Sequence, residues 1–203
     1  MYVRPAFDET DPARIRGLIQ VNPFGLLITS SAMRGLEASP IPFLLEADGE
    51  GFTLWGHLAA GNPQCDTLDG SEALATFGGP HAYVSPGWYG VQPSVPTWDY
   101  AAVHVSGVLA PVTDPGQIAE SLQRMAAWDP VGFDVGAMEP GYRARMIAGV
   151  RAFTLRPRKV EAQWKMSQNR SVGDRARVIA ALETQGDAMS VSVAKLIGET
   201  LPA

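Results

Sequence analysis

Residues 165–170 read Lys-Met-Ser-Gln-Asn-Arg, an ammonium, a hydroxyl, two carboxamides and a guanidinium with Met166 as the one apolar side chain. Two chemistries suit such a run. It is a solvated turn, or it is an anion site in which Lys165 and Arg170 neutralise a phosphate while Ser167, Gln168 and Asn169 supply hydrogen bonds. The surrounding window, 156–177, holds seven Lys and Arg side chains against two acids, Glu161 and Asp174, in a chain whose net charge is −5. Composition leaves both readings open.

A second dense stretch, "GPHAYVSPGWYGVQPSVPTWDYAAVHVSG", carries Tyr83, Trp88, Tyr89, Trp98 and Tyr100. Pro80, Pro86, Pro93 and Pro96 stiffen it and remove backbone donors. A rigid aromatic surface loses little entropy when a flat ligand stacks on it. Aromatic side chains also pack cores and subunit interfaces, so the stretch by itself decides nothing. His57, His81 and His104 have no zinc-ligand spacing and no HExxH motif. Each is expected to be a hydrogen-bonded core imidazole rather than a metal ligand. A phosphate-cradling glycine loop and a GxSxG elbow are both missing from the sequence. Nothing beside Cys65 marks its thiol as activated, which favours a structural or surface role.

The elements that must carry these residues follow from punctuation and periodicity. "ETDPARIRGLIQVNP" predicts a helix capped by Thr10 or Asp11, with Pro12 at its first position and Ile15, Leu18 and Ile19 on one face. "FGLLITS" reads as a buried strand. "LEASPIPFLLEADGEG" reads as extended, with prolines suited to an edge or a bulge, and Asp48-Gly49 as part of the turn into the strand "GFTLWGHLA". "NPQCDTLDG" reads as a short helix. "EALATFGGPHAYVSP" reads as a strand, a break at Gly78-Gly79-Pro80, and a second extended piece. "YAAVHVSGVLAPVT" alternates as a strand, "DPGQIAESLQRMAAW" is a helix capped by Asp114, "PGYRARMIAG" is helical, and "VRAFTLRPRKVEAQW" returns to strand. Two helices close the chain near 171–184 and 188–199, the first opened by a Ser171/Asp174 capping box. Short strands joined by Gly/Pro turns and decorated with helices predict a mainly β, α+β fold, a β-barrel with helical additions.

The chain of 203 residues, 46% of them apolar, has enough mass to bury a core without staples. A low charge content argues against disorder, and the acidic balance argues against a broad DNA-binding face. One cysteine cannot form an intramolecular disulfide, which predicts a reducing, cytoplasmic setting. The opening "MYVRPAFDETDP" has no apolar signal core, and no apolar run is long enough for a membrane span.

Several segments together resemble the PaiB-like family, FMN-binding negative transcriptional regulators. They are "MYVRPAFDETD", "LIQVNPFGLLIT", "LEASPIPFLL", "LWGHLAAGNPQ", "GPHAYVSPGWY", "VPTWDYAAVHVSG" and "WKMSQNR", in the family's order and over nearly the whole chain. The resemblance implies a split β-barrel of the pyridoxamine-phosphate-oxidase-like kind over residues 1–170. Residues 171–203 would form a helical extension packed on the same domain. It also implies a homodimer with FMN at the subunit interface. The family's motifs carry the cofactor role onto His57 and Asn62, onto Tyr83, Ser85, Trp88 and Tyr89, onto Thr97 and Trp98, and onto Lys165, Ser167, Gln168 and Asn169. This chain departs from the pattern where family cations are common, at Gly61 and after Tyr89, and it has Asp99 where Asn is usual. Two other functions stay open beside the family reading: a flavin-dependent oxidoreductase acting on a small substrate, and a degenerate barrel that no longer takes flavin. Catalytic residues are not identifiable from the sequence, and direct DNA binding is not expected.

Overall fold

The computed structural model describes residues 1–49 and 51–202. Glu50, inside the stretch expected to be extended, and Ala203, at the end of the expected helical extension, lie outside them. Seven strands form one sheet in the order β2-β1-β5-β6-β7-β4-β3. They are β1 (Phe24–Ser31), β2 (Gly35–Pro42), β3 (Leu44–Asp48), β4 (Gly51–Ala59), β5 (Glu72–Val84), β6 (Thr97–Val112) and β7 (Val150–Lys165). The helices are α1 (Pro12–Val21), α2 (Pro115–Ala126), α3 (Pro140–Ala148), α4 (Val172–Gln185) and α5 (Ala188–Gly198), with short 3₁₀ turns at Pro5–Phe7, Pro63–Thr67 and Pro86–Trp88.

Two prolines sit where a missing N–H costs least. Pro40 and Pro42 lie on β2, an edge strand paired only with β1. Phe43 separates β2 from β3, which lies at the opposite edge. The expected break at Gly78-Gly79-Pro80 does not occur: β5 runs unbroken through all three residues. The glycine there serves close packing instead. A Cβ on Gly79 would fall 2.8 Å from the Leu18 side chain and 3.2 Å from the Ala101 Cβ. The segment expected as a short helix after β4 is the 3₁₀ turn Pro63–Thr67, with Asn62 as its cap, accepting from the Gln64 N–H at 2.9 Å. The two closing helices form as expected, and α4 ends in Gly186 at φ 73°, the left-handed position that glycine takes at no steric cost.

Contacts divide the chain into two compact units. The first comprises Met1–Leu18, Gly78–Val103 and Glu161–Ala203; the second comprises Ile19–Phe77 and His104–Val160. The second has an aromatic centre in which Phe43 meets Phe77 edge-on at 5.3 Å and Phe153 at 6.4 Å, all three fully buried. In the first, Val84, Ala101, Trp164 and Met166 are buried with Val178, Leu182, Val193 and Ile197 of the packed pair α4 and α5. The helical extension is therefore part of the same unit as the polar run 165–170.

Candidate functional site

The run after Trp164 is a tight turn, and its side chains satisfy one another. The Gln168 carboxamide closes it from both sides, accepting from the Met166 N–H at 2.7 Å and donating to the Trp164 carbonyl at 2.5 Å. The Ser167 carbonyl accepts from the Arg170 N–H at 2.9 Å. Ser167 has φ 55°, the one non-glycine residue at positive φ among those described. A side chain in that region costs energy that the surroundings must repay. The compensation is visible: the Ser167 hydroxyl, 2% exposed, donates to Asp99 Oδ2 at 2.6 Å.

Asp99 organises this corner. It is completely buried on β6, with Lys165 Nζ 3.5 Å from its Oδ1. Lys165 also donates to the Thr97 hydroxyl and the Trp98 carbonyl. Burial pushes the Asp99 carboxyl above its ordinary range, and the Ser167 hydroxyl and the Lys165 ammonium pull it back. The ammonium expected to face a phosphate is thus already committed to an internal carboxylate. Sequence reasoning noted Asp99 only as a departure from a motif; its position two residues from Thr97 on a strand was the available signal.

Arg170 is placed differently. Its guanidinium stacks 4.0 Å from the centre of the Tyr89 ring. No carboxylate pairs with it among the described residues. Tyr89 is buried and its hydroxyl has no partner. The loop that carries Tyr89 is tied to α4 by the Gly90 N–H, which donates to Asp174 Oδ1 at 2.7 Å. The same carboxylate accepts from Arg177 at 2.6 Å and from the Ser171 hydroxyl at 3.0 Å. The bond from Gly90, followed by those from Arg177 and Ser171, holds the Asp174 carboxyl below its ordinary range. The expected capping box is therefore modified. Ser171 caps the helix through the Asp174 N–H at 3.1 Å, while the carboxylate reaches out to another loop.

Next to Lys165, Trp98 and Tyr83 make an edge contact at 6.0 Å, with His81 6.1 Å from Trp98. Both aromatics face solvent, Trp98 54% exposed and Tyr83 45%. Ser85 caps the turn Pro86–Trp88 by accepting from the Gly87 N–H at 3.2 Å, Trp88 is half-buried and Asn169 is exposed. The first unit therefore gathers Tyr83, Ser85, Trp88, Tyr89, Thr97, Trp98, Lys165, Ser167, Gln168 and Asn169.

His57 and Asn62 belong to the second unit. Asn62 donates to the Ser39 hydroxyl at 3.0 Å as well as capping its turn. His57 and His81 differ from the expectation of satisfied core imidazoles. His57 Nδ1 is buried without a partner, and burial lowers its pKa below the ordinary value, so the ring is held neutral. His81 is exposed, with Nδ1 3.1 Å from the Gly79 carbonyl. The Cys65 thiol lies 3.4 Å from the Ala59 carbonyl, and burial raises its pKa, which disfavours the thiolate. Among the described residues no cluster of three His, Cys, Asp or Glu is placed to hold a metal.

Comparison with known proteins supplies the ligand class. The family model "Putative FMN-binding domain" matches residues 1–159. The chain is 31% identical to "Protease synthase and sporulation protein PAI 2" of Bacillus subtilis, over 99% of this chain and 98% of that one. The chain belongs to the PaiB-like family of FMN-binding proteins. An uncharacterized protein of Aspergillus fumigatus is a more distant relative, 28% identical over 98% of this chain and 97% of its own. Among solved structures, the flavocytochrome Anf3 from Azotobacter vinelandii superposes with a TM-score of 0.62 at 14% identity, over 80% of this chain and 72% of that one. The FAD and heme binding protein from Mycobacterium smegmatis gives 0.59 at 15%, over 78% and 73%. The PaiB-like fold is the split β-barrel, and the family's cofactor is FMN.

The residues present fit that cofactor. Trp98 and Tyr83 offer solvent-facing rings to a flat heterocycle, and Arg170 offers a guanidinium with no internal acid to neutralise it. Bound there, FMN would supply one- or two-electron redox chemistry; the chain supplies stacking surface and positive charge. Among the described residues no helix is long and apolar enough to cross a membrane.

Proposed function

We propose that the protein works as a homodimer that holds FMN where two copies meet, and that its role is negative control of transcription without tight DNA contact of its own. The exposed Trp98–Tyr83 pair carries the reading. In the same unit Val91 and Val95 are 65% and 68% exposed, so this unit leaves several large apolar side chains in water that a monomer has no use for. A second copy and a stacked flavin would cover them. Ser167 and Gln168 support the site by fixing the turn that carries Arg170, Lys165 pairs with the Asp99 that holds Ser167, and Asn169 lies exposed on that turn. Tyr89 seats the guanidinium, while Thr97 anchors Lys165 beside Trp98. Ser85 and Trp88 shape the loop.

The DNA part rests on what the basic window does with its charges. Arg158 pairs with Glu72, Lys165 with Asp99 and Arg177 with Asp174, while Arg175 is bound to the Thr200 carbonyl and hydroxyl. Phosphate contacts need several free cations, and few remain.

The test is light scattering combined with an FMN titration followed by flavin fluorescence. The reading expects twice the chain mass of 21.7 kDa and saturable quenching at one flavin per chain, weakened by Trp98→Ala and by Arg170→Met. A monomer that leaves flavin fluorescence unchanged would overturn it. Anisotropy with duplex DNA at physiological salt should show no nanomolar binding.

A further inference from the structure

The second unit contains a groove that the flavin reading does not use. It is about 590 Å³, within the size range of small-molecule sites, about 300–1,000 Å³. The end of β6 contributes Val112, the first turns of α2 contribute Ile118, α3 contributes Arg143 and Ile147, and the start of β7 contributes Val150 and Arg151. The walls are mostly aliphatic, and the charged groups that line it are arginines, with no carboxylate among them.

We infer that this groove between α2 and α3 is a binding site for a small apolar monocarboxylate, such as a medium-chain fatty acid. Its charge pattern supports this occupant. Arg143 is half-buried on α3, and its guanidinium has no ion-pair or hydrogen-bond partner among the described residues. Arg151 is held against the C-terminal end of α3, donating to the Ala148 and Val150 carbonyls at 3.1 and 3.0 Å, which orients its guanidinium without neutralising it. The two acids at the starts of the bordering helices are committed elsewhere. Asp114 accepts from the Gln117 N–H at 2.8 Å, and Glu139 accepts from the Gly141 and Tyr142 N–H groups at 2.8 and 2.6 Å. In a chain of net charge −5, two arginines without an opposing acid on an aliphatic groove are matched by a ligand with one anionic head and an apolar body. A cation or a neutral alcohol would leave Arg143 unanswered.

Calorimetry with the full chain tests this, using decanoate below its micelle concentration, with decanol and decyltrimethylammonium as head-group controls. Saturable binding of one decanoate per chain is expected, at least about tenfold tighter than decanol, with no binding of the cation. Arg143→Met should weaken decanoate by about tenfold or more, Arg143→Lys by less, and neither should change the FMN titration. Circular dichroism of Arg143→Met checks that the variant is folded; Thr113→Val, on the groove rim, provides a second variant with a smaller expected loss. Absence of saturable decanoate binding, equal binding of the cationic amphiphile, or an unchanged affinity in folded Arg143→Met would each overturn the proposal. Competition by FMN would also overturn it by making the groove part of the flavin site. A change from dimer to monomer in Arg143→Met would instead assign the groove to a second copy of the chain.

Discussion

Two buried polar networks of this protein solve the same problem with different chemistry. In the first unit Asp99, Lys165, Ser167 and Thr97 form a charged set. In the second, Gln64, Thr29 and Thr67 form a neutral one. Gln64 Nε2 donates to the Thr29 hydroxyl at 3.0 Å and lies 3.3 Å from the Leu27 carbonyl, and the Thr67 hydroxyl donates to the Gln64 carbonyl at 2.7 Å. The charged network has both carboxylate oxygens occupied. The neutral network leaves Gln64 Oε1 buried without a partner. The difference follows from desolvation: an ion taken out of water must be answered on every side, whereas an amide tolerates one unanswered lone pair at smaller cost. The charged network is also the one beside the solvent-facing aromatics. Strain at Ser167 and a buried carboxylate are concentrated where a ligand is expected, and the quieter network ties the turn Pro63–Thr67 to β1.

Removing one ion from the charged network should have the largest effect. Asp99→Ala strands the Lys165 ammonium and the Ser167 hydroxyl and should lower stability by about 3–5 kcal/mol in urea denaturation. Lys165→Met leaves Asp99 buried and unpaired and belongs to the same class. Asp99→Asn, which restores the residue common in the family, keeps an acceptor for Ser167 and should cost much less. Equal losses for Ala and Asn would show that Asp99 acts by volume rather than charge.

The neutral network should respond less. Gln64→Ala removes a donor shared by Thr29 and Leu27 and should cost about 1–3 kcal/mol. A loss as large as that of Asp99→Ala would erase the distinction drawn between the two regions. Smaller again, Arg170→Met should cost about 0.5–2 kcal/mol of stability through the lost contact with Tyr89, and more in FMN affinity than in folding. Tm and flavin titration on the same sample separate the two.

The smallest effect concerns pH. Burial lowers the folded pKa of His57, so between the unfolded value of about 6.5 and the folded one the unfolded chain binds more protons. Stability should fall as pH drops through that window and level off below the folded pKa. The slope should approach at most about 1.4 kcal/mol per pH unit. His57→Gln should flatten the curve below about pH 6.5; an unchanged slope would assign the acid sensitivity to another group.

The sequence by itself determined most elements and the family. Pro12, Asp114 and Ser171 mark helix starts through chemistry that acts within a few residues, so local reading suffices. Pro40 and Pro42 pointed to an edge strand or a bulge for the same reason, and the fold places them on an edge. Where a glycine's role depends on a distant neighbour, local reading failed. Gly78-Gly79-Pro80 looked like a break, but it is strand, because Gly79 is small to admit Leu18 and Ala101. The candidate site divides the same way. Its residue types were legible in "KMSQNR" and in the aromatic loop. Which cation is free was not, since Lys165 is cancelled by a carboxylate 66 residues earlier and Arg170 is not. Charge is a property of the residue; whether that charge remains available is a property of what the fold places against it.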